Sequence, residues 1–140
     1  MILFLDDEMM FNESYIEALV EAGFEVEFHR EIGKGLAYFQ DHLRDIELVI
    51  LDIMFAVTGK LPTAIDVTKT QNGLRTGEEI LRIMNMSPAG KSVPKMILTN
   101  VAADDFYEKS AASKEVLGWY RKRDVLPSEL VEIVTNHLKK

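Results

Sequence analysis

The stretch ILFLDDE, residues 2–8, sets four large apolar residues directly before Asp6, Asp7 and Glu8. An unbroken apolar run of this kind reads as a strand buried on both faces, not one alternating between core and solvent. Acids crowded at the rim of such a core raise one another's pKa and cost folding energy unless positive charge sits among them. The stretch therefore demands helices to cover both faces of a strand, and a cation at its end.

The other apolar runs answer the first demand. ELVILD (47–52) is a second continuous run closed by an acid, and KMILT (95–99) reads as the fourth strand. EVEFH (25–29) alternates like a strand with one wetter face, and LGWYRK (117–122) carries a short fifth strand. Helix-period segments lie between them. One spans about 11–22, with Tyr15, Ile16, Leu19 and Val20 on one face and Gly23 suited to the stop. Ile32, Leu36, Phe39 and Leu43 mark a second. Thr76 and Glu79 resemble a capping box for a third, with Ile80, Leu81, Ile83 and Met84 inward and Pro88 beyond its end. A less periodic helix falls within 103–115, and Pro127 begins a last one with Leu130, Ile133, Val134 and Leu138 on one face.

Strands alternating with helices predict an α/β fold, a parallel sheet covered on both faces through right-handed crossovers. The 140 residues suit one domain, 1–140. The net charge of -7 argues against direct nucleic-acid binding, which needs a basic surface. The absence of cysteine removes disulfides, thiolate zinc sites and thiol nucleophiles. No run approaches the roughly 18 apolar residues of a membrane span, and the amino terminus lacks the basic start of a signal peptide. The expectation is a cytoplasmic protein without membrane association.

In sheets of this kind the functional crevice lies at the carboxyl ends of the strands. The residues leaving those ends are Asp6 and Asp7, Asp52, Thr99 and Lys122, whereas His29 and Arg30, at the end of the second strand, do not fit the set. Carboxylate oxygens with no imidazole or thiolate nearby suit a hard cation, and Mg²⁺ with retained waters better than Ca²⁺. A carboxylate can also attack phosphorus to form an aspartyl phosphate. Asp52 is the candidate nucleophile, because it stands alone while Asp6 and Asp7 form the acidic pair for the metal. Lys122 and the Thr99 hydroxyl could then neutralise phosphoryl oxygens. Taken singly, each residue has a plainer reading: helix-start acids favoured by the macrodipole, a strand-end threonine, a solvated lysine.

Together, ILFLDDE, VILDIM, MILTN and WYRK, in that order, resemble the four motifs of the receiver domain of two-component response regulators, over essentially the whole chain. The resemblance implies a flavodoxin-like, doubly wound (βα)5 three-layer sandwich with strand order 2-1-3-4-5. It implies that Asp52 accepts a phosphoryl group from a phosphohistidine on a sensor histidine kinase or phosphotransfer protein. Mg²⁺ would be bound by Asp7, Asp52 and the Met54 backbone carbonyl, with Asp6 acting mainly through water. Thr99 and Lys122 would bind the phosphoryl oxygens, and Thr99 and Trp119 would form the switch. A downstream partner would dock on the face made by the helix within 103–115, the fifth strand and the last helix, a face through which a homodimer is also compatible. Such a chain is a self-phosphorylating and self-dephosphorylating switch, not a turnover enzyme.

Three departures stand out. Arg123 follows Lys122 where the family usually has proline after a cis bond, a geometry costing roughly 2.5–4 kcal/mol before any other residue; counting back from Leu130 would also allow Arg123 in the place of Lys122. Phe55–Arg75 far exceeds the usual connection of about 2–6 residues, so 56–75 is an insertion beside the active site. Within it TAIDVTK alternates weakly like a strand, Asn72-Gly73 is a turn signal, and Lys60, Lys69 and Arg75 outnumber Asp66, which would suit a lid or a partner contact, while a tolerated surface loop is an equal reading. Finally, Trp119 is bulkier than the usual switch aromatic, and Asn100 replaces a small residue. The first two departures motivate an alternative, a pseudo-receiver that binds proteins without being phosphorylated. A metal-dependent phosphohydrolase would normally carry an acid two residues beyond the nucleophile, where Met54 stands.

Overall fold

A computed structural model describes residues 1–55, 62, 64–70, 75–100 and 115–138. Its strands are β1 (Ile2–Leu5), β2 (Val26–His29), β3 (Leu48–Leu51), β4 (Lys95–Thr99) and β5 (Trp119–Arg121). The helices are α1 (Met9–Glu21), α2 (Ile32–Asp41), α3 (Thr76–Met84), the single turn α4 (Pro88–Lys91) and α5 (Pro127–Leu138). The strands form one sheet in the order β2-β1-β3-β4-β5, with every pairing parallel.

The apolar runs explain the layering. Successive strand residues point to opposite faces. Leu3, Leu5, Val49, Leu51 and Ile97 thus meet Leu36 and Phe39 of α2 and Ile80 and Met84 of α3 on one side. Ile2, Phe4, Leu48, Ile50, Met96 and Leu98 meet Tyr15 and Leu19 of α1 and Leu130 and Val134 of α5 on the other. All four residues of β1 and of β3 are buried, and full burial of each such side chain contributes about 1.5–3 kcal/mol. Helices α1 and α5 pack on each other across their shared face. Helix α1 ends where Gly23 takes a φ of +98°, and the Phe24 amide returns to the Leu19 carbonyl at 3.0 Å. That left-handed conformation is open to glycine at little cost.

Two sequence expectations need correction, and a third, Pro88 beyond the end of α3, holds and goes further. Thr76 is the first residue of α3, not its cap; Arg75 holds the cap position without a side-chain cap bond. Glu79 instead accepts the Asp66 amide at 3.1 Å and pairs with Arg82 at 3.0 Å. The start of α3 is set by backbone approach: the Gly77 amide donates to the Ile53 carbonyl at 2.9 Å. Pro88 does not merely follow α3 but opens α4, where Ser87 Oγ accepts the Gly90 amide at 3.0 Å. In the insertion, Val67–Lys69 is a 3-10 turn, not a strand, because both the Thr68 amide and hydroxyl turn back to Asp66 Oδ1. Asn72-Gly73, Lys60 and the helix within 103–115, apart from Glu115, lie outside the described residues.

Lys95 opens β4 fully buried. Its ammonium donates to the carbonyls of Gly90 at 2.6 Å and Val93 at 2.7 Å and lies over the Phe39 ring. Burial pushes its pKa down to about 8, opposed by the charge of Glu115.

Candidate functional site

Neighbouring β1 and β3 run in register, Leu5 beside Leu51, so Asp6 and Asp52 leave the sheet side by side. The Asp52 amide donates to the Leu5 carbonyl at 3.0 Å and the Asp6 amide to that of His29 at 3.2 Å. Both aspartates then close the same small turn. Asp6 Oδ1 accepts the Glu8 amide at 3.0 Å, and Asp52 Oδ1 accepts the Met54 amide at 3.0 Å. This side-chain to backbone bond, two residues on, is a habit of aspartate at chain reversals. One oxygen of each carboxylate is thereby committed to the backbone while the other faces the crevice.

Lys122, one residue past the end of β5, enters that crevice. Its Nζ lies 2.6 Å from Asp6 Oδ2 and 3.2 Å from Asp52 Oδ2. Arg123 is exposed, which decides between the two basic residues in favour of Lys122. The Lys122–Arg123 peptide is trans, no cis bond occurring among the described residues. Asp7 is half-buried and completes the acidic group: Asp6, Asp7 and Asp52 each offer an oxygen, all within 4.8 Å of one another.

The electrostatics follow from these positions. Burial, reinforced by the charge of Asp52, pushes the Asp6 carboxyl up to about 7 against the pull of Lys122. For Lys122 itself burial acts downward, but attraction to Asp52 and Asp6 outweighs it and holds the ammonium above its ordinary value. The cation demanded by the opening acids is thus partly supplied from within the chain. One ammonium against three carboxylates leaves the group net negative, and its all-oxygen donor set fits a hard divalent cation such as Mg²⁺.

Thr99 is fully buried at the end of β4. With Leu51 beside Ile97, Thr99 stands two residues past that pair at the end of β4, the strand next to the one that Asp52 leaves. Trp119 opens β5 opposite Ile97, and Thr99 sits opposite Arg121, so Thr99 and Trp119 lie on the same sheet face. Trp119 is half-buried and packs on the core that includes Leu5, Leu51 and Ile97. Glu8 is exposed and contributes its amide rather than its carboxylate. His29 pairs with Glu27 at 2.9 Å on the edge strand.

Sequence reasoning missed two contributors. A methyl group at Gly77 would collide with the Asp52 carbonyl oxygen and the Ile53 Cα, so glycine is what lets α3 close on the end of β3. Tyr15, read only as part of an apolar helix face, places its hydroxyl against the turn that begins with Lys122. A tyrosine amid Ile16, Leu19 and Val20 carries a signal of its own, since a buried phenol needs a partner for its hydroxyl.

No family model and no curated protein matches the sequence. Many solved structures match the fold, and it is the fold of response-regulator receiver domains. Among them is the chemotaxis protein CheY4 of Vibrio cholerae, at 20% identity and a TM-score of 0.69, with 96% of this chain and 95% of that one covered. A CheY-like receiver-domain protein of Methanospirillum hungatei matches at 23% identity and a TM-score of 0.67, over 98% of this chain and 91% of that one. A chain from the CheX-CheY-BeF3-Mg complex of Borrelia burgdorferi matches at 15% identity and a TM-score of 0.71, over 99% and 89%. No helix among the described residues is long and apolar enough to cross a membrane.

Proposed function

We propose that this chain is a phosphorylation-driven signalling switch in which Asp52 accepts a phosphoryl group from a phosphohistidine on a sensor kinase or phosphotransfer protein. The observation that carries the reading is the Lys122 ammonium held between Asp6 and Asp52 at adjacent strand ends, with Asp7 beside them. Helix-start acids or a solvated lysine do not account for that convergence.

Asp7, Asp52 and the Met54 carbonyl would hold Mg²⁺, with Asp6 joined through water. When bound, the ion supplies the positive charge that draws phosphoryl oxygens toward the acidic site. An Asp52 carboxylate oxygen forms the new P–O bond as the donor's P–N bond breaks, the electron pair leaving on the imidazole nitrogen. Asp52 then ceases to be an anionic partner for Lys122, and the ammonium is free to pair with a phosphoryl oxygen. The group brings about -1.5 to -2 charges. The Thr99 hydroxyl donates to another oxygen, and its place beside Trp119 on one sheet face gives the change a route to β5. From there it reaches a partner on the face of β5 and α5. The neighbour solved with CheX, BeF3 and Mg is consistent with this chemistry and with a protein partner.

The chain works as a switch that catalyses its own modification, in the cytoplasm, and not as a turnover enzyme. The pseudo-receiver alternative loses one of its grounds, because Lys122 reaches both carboxylates even though Arg123 follows it. The test is intact mass after incubation with Mg²⁺ and a small-molecule phosphodonor. One phosphate should add to the wild type and none to Asp52→Asn; an unmodified wild type, or an adduct retained by Asp52→Asn, refutes the assignment.

A further inference from the structure

Lys122 meets its two carboxylates from a backbone that the sheet no longer holds. The β4–β5 ladder ends at the pair Thr99 and Arg121, and Lys122 opens the 3-10 turn Lys122–Asp124. Inside that turn the Val125 amide donates to the Lys122 carbonyl at 3.3 Å, long for a backbone bond. The close contacts come from α1. The Tyr15 hydroxyl lies 2.8 Å from the Lys122 carbonyl oxygen and 2.6 Å from that of Val125. A phenol has one proton to donate, shared here by acceptors at the two ends of the turn.

Tyr15 is a rigid place to hang that contact. It is only 6% exposed, and it belongs to the core of Leu19, Leu130 and Val134 that joins α1 to α5. The contact links residues 107 and 110 positions apart. A lysine's long, freely rotating stem does not hold its ammonium between two carboxylates unless its root is fixed.

We propose that the Tyr15 hydroxyl is the positioning group for Lys122, setting the turn from which the ammonium is held between Asp6 and Asp52. Tyr15 touches none of the reacting groups and acts only through this backbone. The effect on phosphoryl uptake rests on the function proposed above; the effect on the ammonium rests on geometry alone.

Tyr15→Phe keeps the ring and removes the hydroxyl. The first readout, without ion or donor, is hydrogen exchange of the Lys122 ammonium by proton–nitrogen NMR. Exchange should be slow in the wild type and about five- to tenfold faster in Tyr15→Phe, the scale of one lost hydrogen bond, while amide exchange in β1 and β3 stays unchanged. The second readout is Trp119 fluorescence, the only tryptophan in the chain, titrated with Mg²⁺ and then with fluoroberyllate as a phosphoryl mimic. Mg²⁺ affinity should hold within about twofold and fluoroberyllate affinity should fall by about the same five to ten times. A Lys122 ammonium that exchanges equally fast in both proteins overturns the proposal, as does an equal loss of Mg²⁺ and fluoroberyllate affinity. If the ammonium responds as stated but the wild type ignores fluoroberyllate, the positioning role stands and the phosphoryl function falls.

Discussion

Lys95 offers the sharpest quantitative test of the packing. Its ammonium is fully buried and held by two carbonyls, and burial lowers its pKa from 10.5 to about 8. The unfolded chain keeps the ordinary value, so between pH 8 and 10.5 it binds more protons than the folded protein, and stability must rise with pH across that window. At about 1.4 kcal/mol per unit, the full effect is about 3.5 kcal/mol, of which about 2.5 falls between pH 7 and 10. The perturbation is Lys95→Met, which keeps an unbranched side chain of similar length and removes the titration. Urea unfolding of both proteins from pH 7 to 10 gives the difference in stability. Other titrating groups are common to both, and the carbonyls that the variant leaves without an ammonium add a constant offset. The wild type should gain on the variant by about 2–3 kcal/mol over this range. A difference that stays flat, or one that favours the variant increasingly with pH, refutes the reasoning.

The site supports three more predictions. Lys122→Ala leaves buried Asp6 and Asp52 without their counter-charge and should cost about 3–5 kcal/mol at pH 8, less at pH 5, where Asp6 takes up a proton; chemical denaturation showing equal losses at both pH values would contradict this. Because the Asp6 carboxyl titrates near 7, ion-free folded protein binds a proton that the unfolded chain sheds above its ordinary value. Stability should therefore fall as pH rises from about 4 to 7, and Mg²⁺ affinity by Trp119 fluorescence should strengthen through the same upper range as the proton is displaced. A pH-independent affinity between 6 and 8 would speak against Asp6 belonging to the ion's surroundings. Gly77→Ala drives a methyl into the Asp52 carbonyl and the Ile53 backbone and should lower stability by about 1–3 kcal/mol, measured by thermal or urea unfolding, with slower adduct formation at Asp52 because α3 can no longer close on the end of β3.

Strands were legible where burial is complete. ILFL and KMILT become β1 and β4 with the expected bounds, since a strand enclosed on both faces is apolar at successive positions, as in ILFL and in the MIL of β4. The half-buried edge strand β2 begins one residue inside its sequence run, at Val26, because an edge residue can leave the ladder without exposing a core side chain, and β5 is the short strand expected within LGWYRK. Pro127 marked the start of α5 for a local reason, its fixed φ. Thr76 misled because a cap depends on where the preceding backbone goes, and here Ile53 draws the Gly77 amide to itself. The convergence of Asp6, Asp7, Asp52 and Lys122 was legible only through strand order, which the resemblance provided and the sheet displays. The contact of Tyr15 with Lys122 was not legible, because no local pattern reports which carbonyl a hydroxyl will find across more than a hundred residues.

Asp6 and Asp52 close matching turns at the ends of neighbouring strands. With one oxygen of each pinned to the main chain and the opposite oxygens bridged by an amine, the pocket keeps its shape through a tenant the protein provides for itself. If Asp52 is phosphorylated as proposed, the incoming phosphoryl group would find a furnished room and displace one occupant instead of gathering scattered walls. On that reading the energy of occupation would go into moving one lysine rather than into ordering the site.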